Sequence, residues 1–285
     1  MYKRQTDAGG SGSGIVTNGT AGAHRGAPRG GIDPRTVSPV KPLIVLPTYN
    51  EAENIVEVLD RIREAVPEAD VLVVDDGSPD GTADLAQRWG SERGGGVSVL
   101  RRASKSGLGS AYRAGFAQGL ALGYDALIEM DSDLQHDPAA LPSLISAVDN
   151  GADLAIGSRY VPGGSIPDWP KYREYLSRGG SLYARMMLGL QVRDATAGFR
   201  CYSAGMLSQI DLESVAADGY GFQIEMAYEV ARRGGRIVEV PITFTDRVRG
   251  TSKMSSKIVF EAFGLVTWWA LRDRVLRRGR TLEDA

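Results

Sequence analysis

Asp131-Ser132-Asp133 follows the apolar run Ala126-Leu127-Ile128-Glu129-Met130 and precedes Leu134-Gln135. Two carboxylates two residues apart, just past a strand end, can turn toward one hard cation. Mg²⁺ or Mn²⁺ takes such oxygen ligands and completes its shell with substrate phosphates. A cation held there neutralises charge that builds on a departing diphosphate. Acidic turns of this kind are common, and it is the position at a strand end that makes this one a metal candidate. Asp75-Asp76-Gly77-Ser78 also closes an apolar run, Val71-Leu72-Val73-Val74. Taken singly it reads as an Asp-Gly turn. Beside a nucleotide, Asp76 would accept N–H or O–H bonds from base or ribose. Pro47-Thr48-Tyr49-Asn50-Glu51 stands after a third run, Leu43-Ile44-Val45-Leu46, and can complete that pocket. Asp137 before Pro138 reads instead as a helix N-cap with proline at the first helical position.

These motifs need elements that bring the ends of the runs together. The runs are short, apolar and bounded by Pro, Asp or Gly, the pattern of strands buried on both faces. Ile55, Val58, Leu59 and Ile62 recur at helical spacing, with Asn50 as N-cap and Glu53 three residues on in the manner of a capping box. Further helices are predicted over Thr82–Trp89, Gly109–Leu122 and Pro138–Asp149, and further strands over Val97–Leu100 and Leu154–Gly157. This alternation implies βαβ units and a mostly parallel sheet with right-handed crossovers. Ligands collect at the carboxyl ends of such strands, where all three motifs fall.

The second half is less regular. A helix over Tyr172–Leu190 carries Arg178 and Arg185 on one face beside Leu182, Tyr183, Met186 and Met187. That combination suits a membrane interface and equally a plain core. An amphipathic stretch covers Phe222–Arg232, a strand Ile237–Phe244, and a long helix 255–277. The basic loop Arg247-Val248-Arg249-Gly250-Thr251-Ser252-Lys253 lies between the last two. It can screen a bound diphosphate as an ordering lid, or be merely a solvated loop. The last helix joins Phe260, Phe263, Trp268 and Trp269 to Arg272, Arg274, Arg277 and Arg278, a pairing that suits an anionic interface.

Four motifs together resemble the family 2 glycosyltransferases of GT-A fold: Pro47 to Glu51, Val74 to Thr82, Met130 to Pro138, and Gly157-Ser158-Arg159-Tyr160. Within that family the chain most resembles the dolichol-phosphate mannose synthases, called polyprenol-monophosphomannose synthases in bacteria, over about 42–275. The resemblance implies an α/β, Rossmann-like chain: a mostly parallel central sheet flanked by helices, with amphipathic membrane-interface helices. It implies inverting transfer of mannose from GDP-mannose to a polyprenyl phosphate. Pro47, Tyr49, Glu51, Val74 and Asp76 would hold the guanosine. Asp131, Asp133 and Gln135 would bind Mg²⁺ or Mn²⁺, with Ser132, where alanine is usual, near the nucleotide. Arg159 would contact the donor, and Arg247 and Lys253 would close over its phosphates. Arg173 matches the family arginine that positions the acceptor phosphate, and Arg178 is a second candidate. Many members continue into transmembrane helices. The expectation here is peripheral attachment at the cytoplasmic face of a membrane, or a polytopic anchoring partner or fused domain.

The totals set the bounds. A net charge of −2 over 285 residues gives no reason to expect nucleic acid as a partner. Cys201, the single cysteine, excludes an internal disulfide and reads as a buried thiol. No apolar run reaches the ~18 residues of a spanning helix, and the N-terminus lacks a signal-peptide core. Residues 1–38, rich in Gly, Ser, Arg and Pro, read as a flexible leader or linker, 39–278 as the folded domain and 279–285 as a tail. Other functions stay open on the residues: a polyprenyl-phosphate glucosyltransferase using UDP-glucose or a transferase acting on a sugar hydroxyl, and a non-catalytic nucleotide-binding protein at a membrane. The basic loop and arginine-rich helix favour a phosphate acceptor, and the complete metal motif argues for catalysis.

Overall fold

The apolar runs become the middle of a seven-stranded sheet. The computed structural model describes residues 40–167, 169–245 and 263–273. The strands are β1 (Pro42–Thr48), β2 (Asp70–Asp75), β3 (Val97–Arg101), β4 (Ala126–Glu129), β5 (Leu154–Ser158), β6 (Arg200–Ser203) and β7 (Ile237–Pro241). Their order is β3-β2-β1-β4-β6-β5-β7. All pairings are parallel except those of β6, which runs antiparallel to β4 and to β5. Sequence patterning missed β6 because it is short and begins on a charged residue.

Burial on both faces explains the unbroken apolar runs. Leu43, Val45, Leu72, Val74 and Leu127 point to one side, where they pack with Tyr112 and Phe116 of α3 (Leu108–Ala121) and Phe222 and Met226 of α7 (Gly219–Arg232). Ala184 of α5 (Lys171–Leu188) and Trp269 of the helix over 263–273, α8, close that layer. Ile44, Leu46, Val71, Val73 and Ile128 point to the other side. There they meet Ile55 and Ile62 of α1 (Ile55–Ala65), Trp89 of α2 (Thr82–Glu92) and Leu144 of α4 (Leu141–Asp149). Each fully buried aliphatic side chain contributes about 1.5–3 kcal/mol. A short helix, α6 (Ala204–Leu207), follows β6. Helix α3 lies close on the sheet because Gly115 and Gly119 lack side chains. A Cβ at Gly115 would sit 2.4 Å from Val45 Cγ1, and one at Gly119 would sit 2.5 Å from Leu127 Cδ2.

The start of α1 differs from the capping-box expectation. Asn50 adopts a left-handed backbone (φ 58°), and the helix begins five residues later with Asn54 at its N-cap. The competing partners are in the β2–α2 loop. The main-chain N–H groups of Asn50, Glu51 and Ala52 donate to Ser78 Oγ, Thr82 Oγ1 and Asp80 Oδ2, each at 3.0 Å. The motifs that follow β1 and β2 are thereby stitched to one another. Asp137 does cap the turn Pro138–Ala140, accepting from the Ala139 N–H at 3.0 Å.

Candidate active site

Strand order reverses at β1, whose neighbours are β2 on one side and β4 on the other. The ends of these strands open into a solvent-facing cleft. Pro47, Thr48, Tyr49 and Glu51 line it from β1, Asp76 from β2, and Asp131, Ser132 and Asp133 from β4. The beginnings of α3 and α7 complete the wall with Gly107, Leu108, Asp218 and Gly219. Most of the donor residues expected from the sequence are thus brought together. Val74 is not on the wall; it is wholly buried inside β2, two residues before Asp76.

The two aspartates after β2 have different work. Asp75 accepts the hydroxyls of Thr48 (3.0 Å) and Ser78 (2.6 Å) and the Ser78 N–H (2.9 Å), so it holds the loop. Asp76 faces the cleft. Its Oδ2 accepts the Ser106 N–H at 3.3 Å, and its Oδ1 lies 3.3 Å from Arg102 Nε, a charge contact without hydrogen-bond alignment.

The acidic turn after β4 is built from below. The buried Tyr112 hydroxyl donates to Asp131 Oδ1 at 3.1 Å. Burial, then the Asp131 charge, raises this phenol well above its ordinary range, so it stays a donor. The Asp131 N–H donates to His136 Nδ1 at 3.2 Å. Burial pushes the His136 imidazole down to about 4, so it is neutral and its Nδ1 is an acceptor. The 3.9 Å approach of Nδ1 to Asp131 Oδ2 is therefore not an ion pair. Ser132 Oγ donates to the Pro47 carbonyl at 3.0 Å and ties the ends of β4 and β1 together, a contact that alanine cannot make. Leu134 is left-handed (φ 64°), a strain of about 1–2 kcal/mol for a side-chain-bearing residue. That turn brings the Gln135 N–H to Asp133 Oδ1 at 3.2 Å. Gln135 Nε2 donates to the Thr245 carbonyl at 3.3 Å, which leaves its amide oxygen as the ligand-type atom. Two carboxylates and an amide oxygen are a hard donor set. Among the described residues no cluster of three acidic, His or Cys ligands exists. The set therefore suits a cation that keeps positions for phosphate oxygens.

A second space adjoins the cleft at the start of α7, where Gly219 faces the cleft and Tyr220 the new cavity. It is an open, mainly apolar cavity lined by Trp169, Arg173, Ser177 and Ile224 among others. The Arg173 guanidinium lies 4.2 Å from the centre of the Trp169 ring. Arg159 is not on the donor wall. Its Nε and Nη2 are given to Asp194 at 2.7 and 2.6 Å, with further bonds from Nη2 to Thr196 and Ser177. Its guanidinium also packs against the rings of Tyr160, Trp169 and Phe244. Glu239 holds the Asp194 side of this pair by accepting the N–H groups of Arg193 and Asp194. Arg178 is half exposed, bonded to Glu174 at 2.9 Å and stacked 4.2 Å over Tyr160. Arg247 and Lys253 lie outside the described residues.

Sequence reasoning passed over Tyr112, Asp218, Lys105 and Asp194, and took Trp169 only as the start of a region, 169–190, where an acceptor could dock. Asp218 accepts the Gly109 N–H at 2.7 Å and so caps α3 from across the cleft. Gly107 must be glycine there: its φ is +94°, and a Cβ would strike Asp218. Lys105 lies 4.6 Å over the Tyr49 ring. Only the small residues spaced by four along α3, at Ala111, Gly115 and Gly119, hinted that this helix presses on the site. Cys201 is fully buried, and burial raises its thiol, so it is an inert core group.

Comparison with known proteins agrees with this geometry. Residues 43–211 match the model of "Glycosyl transferase family 2". The chain is 55% identical over 232 residues to an undecaprenyl-phosphate mannosyltransferase of Micrococcus luteus, covering 81% of this chain and 95% of that protein. It is 48% identical over 248 residues to a polyprenol monophosphomannose synthase of Mycolicibacterium smegmatis, covering 87% and 94%. It is 37% identical over 246 residues to a dolichol-phosphate mannosyltransferase of Pyrococcus furiosus, covering 84% and 67%. Among solved structures, glucosyl-3-phosphoglycerate synthase from Mycobacterium tuberculosis, in complex with Mn²⁺, UDP-glucose and phosphoglyceric acid, superposes with a TM-score of 0.62 at 22% identity over 81% of this chain and 80% of that one. That likeness establishes the GT-A-type fold alone. The chain is a glycosyltransferase: it belongs to family 2, and within it to the group of the polyprenol-monophosphomannose synthases.

Proposed function

We propose that the protein transfers mannose from GDP-mannose to a polyprenyl phosphate, giving polyprenyl-phospho-β-mannose and GDP. One observation carries this reading: the division of charge between the two spaces. The cleft is lined by Glu51, Asp76, Asp131, Asp133 and Asp218, whereas the adjoining cavity has Arg173 and apolar walls and no carboxylate among its described lining residues. An acceptor with an anionic head and an apolar tail suits that cavity. A sugar hydroxyl would need a base beside it. A phosphate monoester has its second pKa near ~6 and is mostly dianionic at neutral pH, so no proton need be removed.

The acceptor oxygen would attack the anomeric carbon as the bond to the diphosphate breaks, the electron pair leaving with GDP and the configuration inverting. Tyr49, Glu51 and Asp76 would hold the base and ribose. Asp131, Asp133 and Gln135 would hold Mg²⁺ or Mn²⁺, which when bound supplies charge neutralisation for the leaving diphosphate. Arg247 and Lys253 would add positive charge on the same side, and Arg173, with Arg178 as a weaker candidate, would orient the acceptor phosphate. The names of the relatives support mannose and an isoprenoid phosphate; the guanosine donor rests on the resemblance of the motifs.

No described helix is long and apolar enough to cross a membrane. Tyr172, Tyr175, Leu182 and Met186 of α5 and Trp268 and Leu271 of α8 are nevertheless exposed, beside Lys171, Arg178 and Arg185. Such a surface suits peripheral docking on the cytoplasmic leaflet, with residues 39–278 as the catalytic domain. The test is a parallel incubation with Mg²⁺ or Mn²⁺, a short polyprenyl phosphate, and either GDP-mannose or UDP-glucose. A metal-dependent mannosyl lipid from GDP-mannose alone is expected. A glucosyl lipid, or no lipid product from a protein that binds donor, would overturn the assignment.

A further inference from the structure

Helix α5 carries two adjacent glycines, Gly179 and Gly180, in the middle of its 18 residues. Glycine is the poorest helix former after proline, and close packing among the described residues does not explain these two. A Cβ on either would meet no described atom within 4 Å, unlike those at Gly115 and Gly119. The space beside Gly180 is this open cavity, which α5 lines with Arg173, Ser177, Gly180 and Tyr183. Their spacing of three and four keeps them on one helical face, and from first to last they span about 15 Å. Trp169 stands at the Arg173 end, only 8% exposed. Its indole N–H is buried and has no acceptor among the described residues. A buried donor left unmade is costly, and the Trp169 side chain that carries it lines the cavity. Ile224 and Val266 supply apolar wall to the same cavity.

Resting on the reading that the acceptor is a polyprenyl phosphate, we propose that Gly180 is a specificity-determining residue for its isoprenyl chain. The missing side chain leaves a lane along α5 for the first isoprenyl units. They run from the phosphate, held by Arg173 beside Trp169, past Gly180 toward Tyr183 and Val266.

The test compares Gly180→Ala and Gly180→Leu with Gly179→Ala, a control on an exposed position outside the cavity. All three should melt at or above the wild-type temperature, since each replaces a helical glycine. Binding of geranyl phosphate, followed by tryptophan fluorescence, should weaken measurably in Gly180→Ala and by about ten-fold or more, roughly 1.4 kcal/mol, in Gly180→Leu. It should be unchanged in Gly179→Ala, with GDP-mannose binding unchanged in all. Equal geranyl phosphate affinity in wild type and folded Gly180→Leu overturns the proposal. If Gly180→Leu does not fold, unchanged affinity in Gly180→Ala overturns it instead. The expected binding pattern in a protein that makes no mannosyl lipid would uphold the lane and sink the transfer reading. Normal transfer to lipid by Gly180→Leu would do the reverse.

Discussion

Asp194→Asn separates two accounts of Arg159. Asp194 is fully buried and Arg159 is 5% exposed. The carboxylate takes Nε and Nη2 of the guanidinium and also the Arg159 main-chain N–H, at 2.7, 2.6 and 2.9 Å. Burial works against the guanidinium charge, and Asp194 more than restores it. Asparagine has nearly the same shape without the charge, so it leaves a buried cation among aromatic rings. Removing one partner of such a pair costs about 3–5 kcal/mol, a large share of a typical ~5–15 kcal/mol. With a urea slope near the upper end of ~1–3 kcal/mol/M for a chain of this size, 4 kcal/mol moves the midpoint by about 1.3 M. Replacing both members, Arg159→Met with Asp194→Leu, removes the desolvation cost along with the attraction. It should recover part of the loss, the Arg159 N–H still lacking its acceptor. In that folded double variant Trp169 loses one of its two flanking cations, so KM for the acceptor should rise more than KM for the donor. Urea unfolding by circular dichroism and initial rates with each substrate varied read both effects. A midpoint shift below about 0.3 M, the range of a surface substitution, would refute the buried-pair account. So would a rise in donor KM alone, which would return Arg159 to the donor.

Asp133→Ala should lower transfer by on the order of 10²–10³-fold while the melting temperature stays near wild type; strong transfer by the folded variant at matched Mg²⁺ or Mn²⁺ would remove Asp133 from the metal set. Gly115→Ala forces a methyl against Val45 and should cost about 1–3 kcal/mol by overpacking, measured by urea unfolding; an unchanged midpoint would mean α3 can lift without penalty. His136 is held neutral down to about 4 against an ordinary 6.5. Between those values the unfolded chain binds the extra proton, so stability falls as pH drops through the window, by roughly 3 kcal/mol in all. In metal-free protein the pH slope of urea stability should be smaller for His136→Asn than for wild type, and identical slopes would show His136 charging in place.

The sheet and the cleft at its strand ends were legible because they rest on unbroken apolar runs and on the polar motifs that follow them. Leu43 to Leu46 and Val71 to Val74 are apolar at every position because both faces are covered, and the polar residues that follow must then lie along one edge. What escaped detection depends on contacts far apart in the chain. The capping box at Asn50 lost to hydrogen bonds from Ser78, Asp80 and Thr82, partners that no local window contains. Arg159 looked like a donor ligand from its motif, but its carboxylate partner lies 35 residues on and both are buried. Tyr112 belongs to a helix whose pattern reads as plain core, and only the packing of α3 over β1 sets its hydroxyl under Asp131. The basic helix left interface and core equally open. The structure divides it, with Ala184 in the core and Tyr172, Leu182 and Met186 exposed.

The charge layout bears on the order in which substrates can enter. Five carboxylates face the cleft, and Lys105 is the one cationic side chain among its described lining residues. Such a surface repels a bare diphosphate, so on the proposed reading the donor would enter only together with a divalent cation held by Asp131 and Asp133. The second anion must then come near the first. Two unit charges 4 Å apart at an effective dielectric of 20 interact by about 4 kcal/mol, and both phosphates carry more than one charge. Positive charge is therefore needed between them. Arg173 at the cavity, the cation on the acidic turn and the basic stretch from Arg247 to Lys253 are the groups able to supply it. With donor and cation in place the cleft loses much of its negative field, and the acceptor headgroup can approach Arg173 without meeting five unscreened carboxylates. On the proposed reading donor would precede acceptor, and the lipid phosphate would reach the anomeric carbon from the cavity side, where no carboxylate stands among the described lining residues.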